Sequence, residues 1–264
     1  MERPLMINDR DWSDYVVQFN QGQPFRHVVI EDFWLPEVAE QLVQDIPDYE
    51  SNCWHAHYLS PIEDKKVCND WNRFPEVTYK AFAYLNSNNF VKIISQITNN
   101  QDILTDVGLN GGGWHSHHKG GKLNIHLDYS IHPKLKLERL CNLIVYLTPD
   151  WNPAWRGGLE FWSHNPETKQ PKDLVKTVEN RFNRAVLFDT TQNSWHGLPD
   201  DLICPEGVCR NSMAIFYLTT PRAGVDDRGK ALFVPNKDQT NDPEILEIIK
   251  KRSNTTTASS VYRK

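Results

Sequence analysis

The sequence predicts a mainly β domain with flanking helices (α+β), its core a double-stranded β-helix (jelly-roll, cupin-like) with N-terminal helices packed on one sheet. Three observations carry this. Between about 103 and 220, short apolar runs recur between Gly, Pro and Asn punctuation, the pattern of many short strands joined by turns. The run KLNIHLDY at 122–129 alternates apolar and polar residues, as a strand with two unlike faces does. Upstream, 75–87 and 89–98 carry Phe82, Leu85, Phe90, Ile93, Ile94 and Ile97 at helical intervals, an apolar face suited to covering a sheet.

The chain divides accordingly. Residues 1–23 are polar and read as an irregular N-terminal segment; 24–220 form a single domain, with helical support over 31–99 and the jelly-roll core from about 103 to 220; 221–264 form a polar C-terminal extension. Within this, 27–30 is a short strand, and Pro36 at a first helical position starts a helix to about 46. Residues 47–74 have no clean period and read as a surface loop with aromatic anchors. Their Trp54, His55, His57, Cys68 and Trp71 include Cys/His pairs, none at zinc-finger spacing. A glycine-flanked loop over 111–121 carries His115, His117 and His118, of which His117 is read as a rim residue. Strands are expected at 139–147, 159–162, 175–178, 185–188 and 210–218. A short helix is expected at 243–251, and 253–260 (SNTTTASS) reads as disordered, with the basic residues Lys250, Lys251, Arg252, Arg263 and Lys264 as a solvated tail.

Composition narrows the function. A net charge of −5 argues against a general nucleic-acid grip. No apolar run approaches the ~20 residues of a membrane span, and the start lacks the layout of a secretory signal. The five scattered cysteines, Cys53, Cys68, Cys141, Cys204 and Cys209, read as reduced thiols of a cytoplasmic compartment, although Cys204 and Cys209 could meet across their loop. Of the nine tryptophans, Trp151, Trp155 and Trp162 crowd one region, where core filling and a substrate mouth are both open.

The chemistry sits in the alternating run. His126 and Asp128 lie two residues apart on one predicted strand face together with Asn124. That spacing of about 7 Å lets an imidazole and a carboxylate converge on one ion. A lone His-x-Asp is common by chance. Here a second histidine, His196, follows an apolar strand and a polar turn, and Arg210 and Ser212 then share one face of a further strand. His-x-Asp, a distant His, then Arg-x-Ser is the order of the facial triad with open positions that suits non-haem Fe(II) oxygenases.

Three segments, GGKLNIHLDY (120–129), NLIVYLTPDWNPAWRGGLEFW (142–162) and RNSMAIFYLT (210–219), resemble the prolyl 4-hydroxylase-like branch of the Fe(II)/2-oxoglutarate-dependent oxygenases. The likeness spans about 105–220 and, more loosely, 24–42; the 200–209 loop, longer than that branch commonly has, departs from it. The resemblance implies that His126, Asp128 and His196 are the metal ligands and catalytic centre, with Fe(II), 2-oxoglutarate as cosubstrate and O2, and with ascorbate as a candidate reductant. It further implies that Arg210, Tyr146 and Ser212 meet the far carboxylate of 2-oxoglutarate, with Asn142 lining the same pocket. A guanidinium fork suits that carboxylate better than an ammonium.

The reaction implied is hydroxylation of an unactivated C–H bond, foremost a prolyl residue in a peptide or protein, with succinate and CO2 as co-products. Arg139, Trp155, Arg156 and His117 are the candidate substrate residues. The same chemistry on a free amino acid or other small molecule stays open. So does a cupin-like metal-binding protein without 2-oxoglutarate, against which Arg210, Tyr146 and Ser212 together count. A non-catalytic interaction module would be expected to lack a triad member, and a halogenase the metal carboxylate; Asp128 is present.

Overall fold

In the computed structural model, which describes residues 6–190 and 193–262, the chain winds thirteen strands into one hydrogen-bonded network with five α-helices around it. In chain order these are α1 (Ser13–Gln21), β1 (His27–Ile30), α2 (Pro36–Asp45), β2 (Ala56–Ser60), β3 (Glu63–Cys68), α3 (Glu76–Leu85) and α4 (Asn88–Thr98). Next come β4 (Leu104–Thr105), β5 (Gly113–His117), β6 (Lys122–Leu127), β7 (Glu138–Tyr146), β8 (Leu159–His164) and β9 (Pro171–Val178). The chain closes with β10 (Ala185–Asp189), β11 (Trp195–Leu198), β12 (Arg210–Thr219), β13 (Leu232–Phe233) and α5 (Pro243–Arg252). The order β1-β10-β7-β12-β5-β3-β6-β11-β8-β9 is antiparallel throughout and folds over as two facing sheets, the predicted jelly roll.

Strand β3 joins the two sheets. Its Lys66, Val67 and Cys68 pair with β5, while Glu63 and Asp64 pair with β6. Lys65 therefore sits where the strand passes from one sheet to the other.

On β7, Leu143 and Val145 point out to the helices and join a core with Phe82, Leu85, Phe90, Ile94 and Ile97. Asn142, Ile144 and Tyr146, of opposite parity, point to the barrel interior, where Tyr146 packs with Leu159, Phe161 and Phe188. Local signals set the helix ends: Ser87 accepts a hydrogen bond from Phe90 N at the start of α4, and Asp242 from Glu244 N and Ile245 N at the start of α5.

Three expectations are corrected. The segment 1–23 is not all irregular, because α1 buries Phe19 against the helical layer. The segment 47–74 is not a surface loop: it contains the β2–β3 hairpin, and β3 lies inside the sheet order. Its charged text, EDKKVC, hides burial that partners elsewhere make tolerable.

The C-terminal extension is not a solvated tail. Strand β13 pairs with β6, α5 packs Ile245, Ile248 and Ile249 on Ile62 and Phe233, and 258–261 forms a short 3-10 helix where disorder was expected. Arg252 binds the buried Glu63 at 3.0 Å, and Tyr262 donates to the same carboxylate. Arg263 and Lys264 lie outside the described residues. All five cysteines are free thiols, and Cys204 Sγ donates to Val208 O rather than meeting Cys209.

Removing one partner of a buried ion pair leaves the other charge stranded, which costs about 3–5 kcal/mol. Arg252→Ala is therefore expected to destabilise the protein by that order, measured as a lowered urea midpoint with unchanged slope. A change under about 0.5 kcal/mol, the size of an ordinary surface substitution, would return Arg252 to the solvated surface.

Candidate active site

Strands β6 and β11 bring the two histidines together because their antiparallel register sets His196 directly opposite His126. Directly opposed side chains stand within about 4.5–5.5 Å at Cβ, and here the ring centroids are 4.4 Å apart. Each ring is oriented by its own backbone: His126 Nδ1 lies 2.9 Å from Asn124 O and His196 Nδ1 2.8 Å from Ser194 O. With Nδ1–H donating to a carbonyl, both Nε2 lone pairs face inward, the arrangement of metal-ligating histidines.

Asp128, just past the end of β6, places Oδ1 3.7 Å from His126 Nε2 and Oδ2 3.7 Å from His196 Nε2. One ligand atom from each of the three residues lies within 4.8 Å of the others, and all three residues are buried. Among the described residues this is the one His/Cys/Asp/Glu group so placed, and the Cys/His residues of 47–74 form none.

A divalent ion fits this donor set. Asp128 Oδ2 is buried with no hydrogen-bond partner. Burial raises its carboxyl pKa, but the two imidazoles and Arg139 outweigh that and hold it below the usual carboxylate range. Burial and the neighbouring His126 push His196 down to about 4, so it is neutral and able to ligate near pH 7. Phe233 stacks on His126 at 4.9 Å and Phe188 meets His196 edge-on at 4.8 Å, which keeps both rings in place.

Two chambers meet at these ligands. The inner one, about 70 Å³, runs from His126, Asp128 and His196 past Asn142, Ser212 and His117 to Arg210. Arg210 is buried, donates Nε–H to Gly157 O at 2.7 Å and has the Tyr146 hydroxyl beside it. Gly157 has φ +78°, and a Cβ there would come within 3.0 Å of Arg210 Cδ, so glycine is required at this approach. Asn142 Oδ1 and both ring nitrogens of His117 are buried and unpartnered on this chamber's wall. Tyr146 lies beyond Arg210, its ring centroid 5.0 Å from the guanidinium carbon and its hydroxyl unpartnered, and it does not itself line the chamber. A buried cation facing unpaired polar atoms suits a small carboxylate ligand.

The outer chamber, about 250 Å³, shares His126 and Asp128 and continues past Arg139, Lys65, Tyr58 and Lys230. A family model described as "2OG-Fe(II) oxygenase superfamily" matches residues 112–218, the span that holds all three ligands and Arg210. The chain carries a 2OG-Fe(II) oxygenase domain.

Prolyl 3-hydroxylase OGFOD1 of Xenopus laevis is 26% identical over 227 residues, covering 82% of this chain; the chain spans 40% of that relative's length. A prolyl hydroxylase of Trichoplax adhaerens, solved in complex with a hypoxia inducible factor oxygen degradation domain peptide fragment, superposes with a TM-score of 0.54. It is 17% identical and covers 79% of this chain and 89% of its own. A prolyl-4-hydroxylase of Pseudomonas putida gives 0.51 at 14% identity, covering 79% and 98%. HygX of Streptomyces hygroscopicus, solved with nickel and 2-oxoglutarate bound, gives 0.52 at 13% identity, covering 79% and 87%.

The oxygenase domain departs from the sequence reading at several residues. Asn124 does not share the face of His126: a register shift in β6 turns it outward, where it donates to Val234 O and Gln239 Oε1. His117 is not at a rim. The expected glycine-flanked loop is strand β5, held between β12 and β3, and His117 is buried opposite Arg210. Burial and the nearby Arg210 and Lys65 cations push His117 well down, and push His115 to about 3.

Arg139 faces the outer chamber, although its odd spacing from Asn142 predicts the other face. A bulge between Cys141 and Arg139 sends Leu140 to the helical core with Cys141 and returns Arg139 to the ligand side. Its guanidinium lies 3.5 Å from the Tyr129 centroid and 3.4 Å from that of Phe216. It donates to Asn110 O and Tyr129 Oη, and Nε remains unpartnered. Gly111 makes room, since a Cβ there would meet Arg139 Nη2 at 2.8 Å. The neighbouring Glu138 pairs with Arg222.

Trp155 and Arg156 are not brought to this mouth. Trp155 packs edge-on against Trp151 near Leu202 and Cys204, and Arg156 donates to Asp201 O while lining a separate depression behind Arg210. Sequence reasoning missed Lys65, Glu63, Phe233 and Arg252. Only the even spacing of Glu63 and Lys65 hinted at a shared face.

Replacing His126, Asp128 or His196 by Ala is expected to abolish stoichiometric Fe(II) binding, read by metal analysis after dialysis, with the far-UV circular dichroism unchanged. Full iron retention by any one of the three variants would remove that residue from the ligand set.

Proposed function

We propose that this oxygenase domain hydroxylates a prolyl residue of a peptide or protein, using Fe(II), 2-oxoglutarate and O2. The observation that carries the reading is the open side of the His126–Asp128–His196 set. It faces a small inner chamber ending in Arg210 on one hand and a larger outer chamber lined by Arg139, Lys65 and Lys230 on the other. A small dicarboxylate and a larger substrate thus have separate approaches to one ion. The prolyl hydroxylases among the similar proteins support the substrate class.

The two imidazoles and Asp128 would hold the iron and fix which positions stay open. When bound, iron with 2-oxoglutarate and dioxygen supplies the oxidant for an unactivated C–H bond, with succinate and CO2 as co-products. Arg210 would pair with the far carboxylate of 2-oxoglutarate, with Ser212 and Tyr146 offering hydroxyl donors nearby. Leu123, Leu159 and Leu198 give the inner chamber apolar walls that would limit water around a bound ligand. Arg139, with its free Nε–H and fixed between two rings, would donate to a carbonyl of the substrate backbone. Five unpaired thiols support a reducing, cytoplasmic location.

The reading is tested by oxygen consumption and succinate release with Fe(II) and 2-oxoglutarate across proline peptides, free amino acids and a cell lysate. Mass spectrometry should then find one added oxygen on a peptidyl proline; exclusive oxidation of a free amino acid would overturn the choice of substrate. Arg210→Ala should weaken 2-oxoglutarate binding by about 3–5 kcal/mol, or roughly two to four powers of ten, and Arg210→Lys should restore part. The measurement is the anaerobic charge-transfer band with Fe(II), and unchanged affinity in Arg210→Ala would refute the pairing. Arg139→Ala should depress substrate-stimulated turnover far more than substrate-free 2-oxoglutarate consumption. Equal loss of both would mark a structural role.

A further inference from the structure

Lys65 is a largely buried lysine on the cavity wall to which the proposed function gives no part. Its side chain is 13% exposed, and it lines both the outer and the inner chamber beside His126 and Asp128. No hydrogen-bond acceptor among the described residues reaches its ammonium. The one carboxylate near it is Glu63, at 3.9 Å. That carboxylate is already engaged by Arg252 Nε at 3.0 Å and by the hydroxyl of Tyr262. A largely buried ammonium held only by a long ion pair to a carboxylate that is already bound twice, and by the Tyr58 ring at 5.9 Å, is under-satisfied, so its position here suits an anionic ligand.

The surroundings give the ligand's sign. Four cations line the outer chamber, Lys65, Arg139, Lys230 and Arg252, against two carboxylates, Glu63 and Asp128. Arg252 and Glu63 satisfy one another, and Asp128 belongs with the two imidazoles. Arg139 and Lys230 have no carboxylate within 4 Å among the described residues. Three cations therefore face a chamber whose own anions are committed.

The far carboxylate of 2-oxoglutarate does not answer this need, because Arg210 at the far end of the inner chamber takes it. Lys65 stands beside the metal ligands where the two chambers meet, and its nearest carboxylate, Glu63, lines only the outer one.

We propose that Lys65 is the anion subsite of the substrate pocket and selects a substrate that carries a carboxylate close to the carbon to be oxidised. This rests on the prolyl reading and deepens it: the favoured target is a proline beside an acidic side chain or bearing its own free carboxylate. The Arg252–Tyr262 contact from the C-terminal segment is part of the device, because it engages Glu63 at shorter range and leaves Lys65 only the long 3.9 Å pair.

The test separates binding from oxidation. Calorimetry on the Mn(II)-loaded protein with 2-oxoglutarate under nitrogen, where nothing turns over, would compare acetyl-Glu-Pro-amide with acetyl-Gln-Pro-amide, and acetyl-proline with acetyl-prolinamide. We expect the acid to bind at least about ten-fold more tightly in one pair, which names the source of the carboxylate. Lys65→Met should erase that preference and Lys65→Arg should retain most of it, with thermal melts showing that both variants fold. An acid preference that survives Lys65→Met, equal binding of acid and amide in both pairs, or a loss in Lys65→Met confined to 2-oxoglutarate affinity would each overturn the proposal. The Fe(II) enzyme with the same compounds tests the reading beneath it. Acids that bind through Lys65 without yielding hydroxyproline would leave the anion subsite standing and end the prolyl assignment. Hydroxyproline formed equally from acid and amide would do the opposite.

Discussion

The pairing of His196 with His126 across β6 and β11 is the constraint on which the rest of the site depends. In an antiparallel pair a slip of one residue turns every side chain to the other face, so this register alone decides whether two imidazoles meet inside the barrel or point outward. Much of the surrounding structure holds it. On the outer face of the same strands, Ile125 and Leu127 pack with Trp195 and Val234. Strand β13 pairs with β6 on its other edge and brings Phe233 onto the His126 ring. Arg228, also from the C-terminal segment, donates to the backbone carbonyl of Asp128 at 3.0 Å. A segment beyond the matched residues 112–218 thus braces both ligands of β6.

Two register shifts do what regular strands cannot. The shift in β6 frees Asn124 from the ligand face and lets Leu123 line the chambers in its place. The bulge in β7 sends two consecutive residues, Leu140 and Cys141, to the helical core and so restores Arg139 to the pocket side. Bulges re-aim side chains in this way next to active sites. The rings of Tyr129 and Phe216 then hold the re-aimed guanidinium, a desolvated cation–π arrangement worth about 2 kcal/mol.

The bulges also mark where the sequence stopped being legible. His126, Asp128, His196, Arg210 and Ser212 could be found because their signal is local: even spacing on a strand, and a fixed chain order. The jelly roll and the helices 76–85 and 88–98 were legible from period alone. Asn124 was misplaced because a bulge leaves no trace in an alternating pattern, and for the same reason strand parity alone could not put Arg139 on the pocket side, where the resemblance had put it. Trp155 and Arg156 were put among the substrate residues, but the chain just after them turns to Arg210, which donates to Gly157 O, while Gly158 packs on Thr177 of β9. Lys65, Glu63 and Arg252 escaped notice for a different reason. Charged residues read as exposed when taken singly, and only a partner from 189 residues away makes Glu63 a buried one. The short Leu232–Phe233 strand is too brief to carry a period at all.

Burial without partners also occurs at this site, and there it carries an energetic meaning. Asp128 Oδ2, Asn142 Oδ1, Tyr146 Oη and both His117 nitrogens are unpartnered, and the Arg210 and Lys65 cations lie nearby. An unsatisfied buried polar group costs about 1–3 kcal/mol, so the protein alone holds this arrangement at the expense of stability. The barrel tolerates it because the strands that carry these groups are fixed elsewhere: β7 and β12 by their long mutual register and the helical core, β6 by β11 and β13. A metal and a dicarboxylate that supply the missing partners bind the folded state alone and must stabilise it by linkage. The same logic orders the two chambers. The inner one is small and lined by Arg210 and unpaired polar atoms, so it is complementary to one compact anion. The outer one is wider, bordered by Arg139, Lys65 and Lys230, and leaves its cations to be answered by whatever substrate arrives.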